Sequence, residues 1–123
     1  MTSNPVVWFE IYVQDMARAK AFYEGVFEVQ LQPIENSDTE MWSFPMLDNA
    51  VGAMGALVKM EGVASGGNST LVYFTCVDCA DEAGRVQENG GQVVKEKFSI
   101  GEYGFIALVS DTESNMIGLH SMQ

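Results

Sequence analysis

The chain has 123 residues, and its 6 Lys and Arg residues stand against 17 Asp and Glu residues, so its formal net charge at pH 7 is −11. A chain this negative repels phosphate backbones and anionic lipid, which argues against nucleic-acid and membrane-surface partners. Hydrophobic residues make up 47% of the chain and charged residues 19%, a composition typical of a folded globular domain. The single histidine excludes any site within one chain that needs two histidine ligands.

The first predicted element is an apolar, β-branched and aromatic strand at residues 6–13 (VVWFEIYV). Asp15 follows as a helix N-cap, and apolar side chains at three- and four-residue spacing predict a helix that begins at Met16. Three shorter strands are then predicted at residues 29–34, 40–46 and 52–60.

A Gly- and Ser-rich linker at about residues 61–69 precedes a second run of the same pattern. Residues 70–77 predict a strand, Asp78 predicts an N-cap, and residues 79–89 predict a helix that ends at Gly90. The last three strands are predicted at residues 92–98, 103–109 and 116–121.

The two runs share one order of elements, a strand, a helix and three strands. A shift of 64 residues places residues 9–13 on residues 73–77 and the first helix on the second. We therefore predict an α+β fold and one domain over residues 1–123. Its first module covers about residues 5–60 and its second about residues 70–121.

Three stretches resemble the vicinal oxygen chelate superfamily, to which glyoxalase I, the bleomycin-resistance proteins and the extradiol dioxygenases of the dihydroxybiphenyl type belong. They are residues 8–27, 71–94 and 101–121. The first carries the pattern D-x-x-R-A-x-x-F-Y as Asp15, Arg18, Ala19, Phe22 and Tyr23. Ser114 stands where the closing turn of the family usually has Gly, so we expect a positive φ there.

The resemblance implies two βαβββ modules that form a curved mixed sheet around a cleft with a divalent metal. The positions implied for the metal ligands fall on Trp8, Val72 (or Leu71 if the register slips), Gly118 and residues 54–56. None of these side chains offers oxygen or nitrogen to a cation. We therefore expect no cofactor and no metal ligand at these positions. A metal could still be held by Glu10, His120 and water, but two protein ligands from one chain would make a poor metal site.

Alternation along the strands predicts which side chains face the cleft. Trp8, Glu10 and Tyr12 share one face of the first strand. Together with Phe74 of the second module and Met116 and His120 of the last strand, they would line a largely apolar pocket with few polar groups. The predicted ligand-binding residues are Trp8, Glu10, Tyr12, Phe74, Met116 and His120.

Several of these residues have a structural interpretation beside the functional one. Glu10 is either a ligand anchor or general base, or a structural carboxylate that lies in water at the edge of the cleft or is hydrogen-bonded to Tyr or Trp. His120 is either catalytic or a rim residue, and Trp8 either stacks on a planar ligand or packs in a core. Cys76 and Cys79 form a C-x-x-C pair that we interpret as small core residues rather than a redox or zinc site.

These observations favour a protein of the bleomycin-resistance type, which binds a small apolar or cationic molecule without the family metal. One alternative is a metal-dependent lyase, isomerase or dioxygenase of the glyoxalase kind, with Glu10 as its catalytic base. A second alternative is a non-catalytic interaction module. We also expect a homodimer in the cytoplasm, with no nucleic-acid or membrane partner.

Overall fold

The computed structural model describes residues 2–35, 38–67, 69–112 and 114–123. It divides into a first compact unit, Trp8–Thr70, and a second, Leu71–Gln123 with the N-terminal residues through Val7. The first half of the chain forms β1 (Val6–Tyr12), α1 (Met16–Phe27), β2 (Gln32–Pro33), β3 (Glu40–Ser43) and β4 (Met54–Lys59). The second half forms β5 (Thr70–Thr75), α2 (Cys79–Val86), β6 (Gln92–Ser99), β7 (Phe105–Ser110) and β8 (Met116–Ser121).

The strands of the two units follow the same topology. Their order is β2-β3-β4-β1 in the first unit and β6-β7-β8-β5 in the second. In each, the strand before the helix runs parallel to the last strand, and the other neighbours are antiparallel. The predicted α+β class and the repeated β-α-β-β-β order are confirmed. The boundaries that we gave the modules and the single domain stay predictions.

Both helices begin at the aspartates that the sequence predicts. A carboxylate oxygen of Asp15 accepts a hydrogen bond from the backbone N–H of Arg18, and one of Asp78 accepts from the N–H of Ala80, each at 3.0 Å. These bonds satisfy backbone donors that a helix start otherwise leaves without a partner.

The two N-caps show that the repeat is offset by 63 residues rather than 64. An error of one residue moves every side chain of a strand to the opposite face. In the first unit Ile11 packs under α1, against the core of Val13, Met16, Leu31 and Leu57. The matching residue in the second unit is therefore Phe74, which lies five residues before Cys79 as Ile11 lies before Met16.

The face predicted for Phe74 is wrong for this reason. Its ring packs against the core of the second unit, which consists of Cys79, Ala83, Ala107, Val109 and Leu119. Leu119 is its partner across the strand pair, so both side chains lie on the face that α2 covers. Cys76 packs against the same core, which agrees with its interpretation as a small core residue. Both cysteines are free thiols, and Cys79 is fully buried.

The structure also tests two predictions, one about the end of the second helix and one about the last turn. The helix predicted to Asn89 is α-helical to Val86 and continues as a 3-10 turn, Gln87–Asn89, before Gly90 at φ 94°. Ser114 has a φ of 66°, which confirms the predicted positive value. Among the described residues, neither helix has the length and apolar content that a membrane crossing requires.

Candidate functional site

A carboxylate held between two aromatic side chains distinguishes the first unit. Trp8 donates its indole N–H to Oε2 of Glu10 at 3.2 Å, and Tyr12 donates its hydroxyl to Oε1 at 2.8 Å. The three residues alternate along β1, so they share the face opposite Ile11 and the α1 core. Two donors on two oxygens fix the orientation of the Glu10 carboxylate, which is half-buried.

The strand beside this carboxylate provides an apolar floor. Ala56 of β4 lies opposite Glu10, and Val58 lies opposite Tyr12; both are almost completely buried. Met54 lies opposite Trp8 and remains 38% exposed. An apolar floor with one oriented acceptor is the usual composition of a small-molecule site.

His120 occupies the corresponding face of the second unit. Its neighbour Leu119 belongs to the α2 core, so His120 points to the opposite side of β8, with Thr75 as its partner on β5. Its Nε2 lies 2.6 Å from the carbonyl oxygen of Tyr103. A carbonyl oxygen only accepts, so we assign the proton to Nε2, which leaves Nδ1 of a neutral ring as an acceptor. Met116, at the start of β8, is 46% exposed.

The predicted residues therefore fall into two groups. Trp8, Glu10 and Tyr12 are in direct contact in the first unit. Met116 and His120 lie on one strand of the second unit, and Phe74 lies on the opposite face of that unit's sheet. The single cleft that we predicted from all six stays a prediction.

Tyr73 is a residue that the sequence interpretation missed. It occupies the position of Glu10 in the repeat, because each lies five residues before its N-cap aspartate. Its ring covers Gly118 so closely that a methyl group there would overlap the ring atoms, and Tyr73 is only 7% exposed. The spacing from Asp78 was the signal that would have found it.

This arrangement does not fit the divalent metal that the resemblance implies. Gly118 is a position implied for a ligand, and the space for a side chain there is filled by the ring of Tyr73. Within the described residues, no three His, Cys, Asp or Glu side chains lie together as a metal site requires. The carboxylate of Glu10 already accepts two hydrogen bonds from its own strand.

Comparisons with known proteins agree with the fold. The family model described as Glyoxalase/Bleomycin resistance protein/Dioxygenase superfamily matches residues 6–119. The chain belongs to this superfamily. The sequence matches no curated protein.

Solved structures resemble the chain over nearly its whole length. A hypothetical protein from Bacillus halodurans C-125 has a TM-score of 0.71 at 12% identity, covering 99% of this chain and 96% of its own. Methylmalonyl-CoA epimerase from Mycobacterium tuberculosis has a TM-score of 0.69 at 13% identity, covering 100% and 93%. A variant of the Streptomyces coelicolor epimerase, in complex with 2-nitronate-propionyl-CoA, has a TM-score of 0.67 at 16% identity, covering 96% of each chain. At these identities the likeness shows the fold alone.

Proposed function

We propose that this chain binds a small apolar or cationic molecule on the Trp8–Glu10–Tyr12 face, without the metal of its superfamily. The observation that carries the proposal is the carboxylate of Glu10, held by two aromatic donors above an apolar floor. A carboxylate among apolar residues is unfavourable unless it is hydrogen-bonded. Here the hydrogen bonds from Trp8 and Tyr12 also fix the orientation of the Glu10 carboxylate.

The chemistry of this face favours a positively charged or hydrogen-donating ligand. A carboxylate can accept about four hydrogen bonds, and two side chains use part of that capacity. The rings of Trp8 and Tyr12 flank the carboxylate, and aromatic faces attract cations. The net charge of −11 raises the local concentration of cationic ligands further.

Residues of the second unit remain part of the proposal. We retain His120 as an acceptor through Nδ1 and Met116 as an adaptable apolar contact. Phe74 is no longer included, because its ring belongs to the α2 core. We also propose a homodimer, which light scattering in solution tests directly; several large exposed apolar residues, among them Leu47 and Val51, support it.

The leading alternative is a metal-dependent lyase, isomerase or dioxygenase, with Glu10 as a base for proton transfer. The structural neighbours include methylmalonyl-CoA epimerases. We place this alternative second for two reasons. The ring of Tyr73 fills the space at Gly118, and no three His, Cys, Asp or Glu side chains of the described residues lie together. A non-catalytic interaction module is the third candidate.

Calorimetric titration with N-methylquinolinium, a planar cation, tests the proposal. We expect saturable binding that Glu10→Gln weakens by about tenfold, because the ion pair is lost while the shape is kept. Glu40→Gln is the matched control. Glu40 also accepts from a tryptophan two residues along the strand, at 3.4 Å, but on an exposed surface without a tyrosine donor.

Three results would contradict the proposal. Equal losses in Glu10→Gln and Glu40→Gln would show that only general charge attracts the probe. Equal affinity for 2-methylquinoline, a neutral analogue, would exclude a role for the carboxylate. A tightly held divalent ion in stoichiometric amount, detected by elemental analysis of protein purified without chelator, would favour the metal-dependent alternative.

A further inference from the structure

An open groove lies at the start of α1; Glu10 does not line it, although Tyr12, which donates to the Glu10 carboxylate, does. It has a volume of about 460 Å³ and lies between the end of β1, the first two turns of α1, and Ser65, Gly66 and Ser69. All of its lining residues belong to the first unit. This volume lies within the range of about 300–1,000 Å³ in which proteins bind small molecules.

Arg18 supplies the positive charge of this groove. Its side chain lines the cavity and is exposed, and no described carboxylate lies within salt-bridge distance of its guanidinium. Asp15 is the one acid among the described lining residues, and its Oδ1 accepts from the backbone N–H of Arg18 at the helix start. An arginine with no acidic partner among the described residues is unexpected in a chain with 17 Asp and Glu residues.

An aromatic wall stands beside this arginine. Phe22 lies one helical turn after Arg18, on the same side of α1, and its side chain is 58% exposed. Tyr23 contacts it edge-on at 5.1 Å between ring centroids and is itself anchored against Phe44 at 5.6 Å. The Phe22 ring is thus supported by Tyr23 on one side, while Phe22 lines the groove.

Hydrogen bonds hold the opposite wall in place. The side-chain amide of Gln14 donates to the carbonyl of Val63 at 2.9 Å, and the backbone N–H of Tyr12 donates to the carbonyl of Ser69 at 3.0 Å. These bonds tie the segment around Ser65 to the end of β1. Val63 and Ser69 are therefore held beside the end of β1 before a ligand binds, which lowers the entropic cost of binding.

We propose that this groove is a second ligand site, which takes a planar aromatic carboxylate. The guanidinium of Arg18 offers two parallel N–H donors that match a carboxylate, and Phe22 offers a ring face to the aromatic body. The serine hydroxyls at the rim add further donors. The charge preference is opposite to that of the Glu10 face, so the two sites take different ligand classes.

Titration of the isotope-labelled full chain with 2-naphthoate, followed by amide chemical shifts, tests this site. We expect shifts at the end of β1, the first turns of α1 and residues 65–69. Arg18→Gln should weaken binding about tenfold, and 2-naphthamide should bind wild type about tenfold less tightly than 2-naphthoate. Phe22→Ala should weaken both probes.

Each variant has a control on the same helix. Lys20→Gln removes the same charge, but Lys20 lies over the ring of Trp42, outside the groove. Val26→Ala removes another exposed apolar side chain, 57% exposed, that does not line the cavity. Both controls should bind 2-naphthoate as wild type does. Glu10→Gln should also leave this binding unchanged, because Glu10 does not line the groove and a glutamine there still accepts from Tyr12, which does. That result separates the second site from the proposed function.

The proposal is overturned by any of three outcomes. The first is equal affinity of 2-naphthoate and 2-naphthamide, which would make the groove merely apolar. The second is equal loss in Arg18→Gln and Lys20→Gln. The third is an absence of shifts in the groove together with a dimeric mass, which would mean that a second copy of the chain covers it.

Discussion

The two units repeat one topology but use the sheet face away from the helix differently. In the first unit this face carries Glu10 between two aromatic donors, above Ala56. In the second unit the matching residue is Tyr73, whose ring closes over Gly118. The helix side is similar in both, because each helix must bury one apolar face against its sheet. The repeat thus constrains the packing under the helix and leaves the opposite face free to differ.

The closed face of the second unit predicts the largest effect on stability. Gly118→Ala places a methyl group within the ring of buried Tyr73, and we expect a loss of about 2–3 kcal/mol in the free energy of unfolding. Gly55→Ala brings its methyl group to 2.5 Å from the ring of Phe9, which is half-buried and can move, so about 1 kcal/mol is expected. Urea denaturation measures both.

Gly84→Ala is the control for this pair. Gly84 lies inside α2 and has open space where a methyl group would stand, so the substitution should stabilise the chain by about 0.5–1 kcal/mol. If Gly118→Ala were as stable as wild type, the ring of Tyr73 would not close this face. The implied metal position would then be open to a side chain.

The order of elements was predictable from the sequence because apolar periodicity, the aspartate N-caps and Gly90 are local signals. The faces of the second unit were not, because a strand in which Leu71 to Cys76 are nearly all apolar has no alternation to read. The register came instead from a shift of the whole repeat, and one residue of error exchanged Phe74 and Tyr73. Trp8, Glu10 and Tyr12 were correctly placed on one face because the acid breaks the apolar pattern of β1.

Cys76 occupies the position in the second unit that Val13 occupies in the core of the first. The substitution Cys76→Val therefore makes the two units alike at this position. Burial, and then the nearby carboxylate of Glu82, raise the pKa of the Cys76 thiol to about 12. The folded state therefore keeps this proton after the unfolded chain has lost it. The associated stability is present below about pH 9 and is lost as pH rises toward 12.

Cys76→Val should remove that part of the alkaline loss. Thermal unfolding of wild type and variant from pH 7 to pH 10.5 gives the difference, which we expect to be about 1 kcal/mol or less, since the thiol is only half-buried. Other groups that titrate at high pH are common to both proteins and cancel in the comparison. Parallel pH profiles would show that the thiol ionises alike in the folded and unfolded chain.

Substitutions of the two N-cap aspartates should have the smallest effect on stability, and they compare the two helix starts directly. Asp78 has a partner that Asp15 lacks among the described residues, because Nζ of Lys97 lies 2.8 Å from its Oδ1. The hydrogen bond from Lys97, and then that from the N–H of Ala80, lower the pKa of the Asp78 carboxyl below its ordinary value of 3.8. Its charged form therefore stabilises the fold above about pH 4, and this contribution is lost as pH falls below that value.

Asparagine caps a helix as well as aspartate does, so Asp→Asn keeps each cap and removes only the charge. We expect Asp15→Asn to leave the melting temperature at pH 7 nearly unchanged and Asp78→Asn to lower it by about 1–2 °C. The difference should shrink as pH falls below about 4, as Asp78 of wild type takes up a proton, and Lys97→Met should remove it at pH 7. Equal shifts in the two asparagine variants would mean that the ion pair at α2 adds nothing, and that the two helix starts are equivalent in energy as well as in geometry.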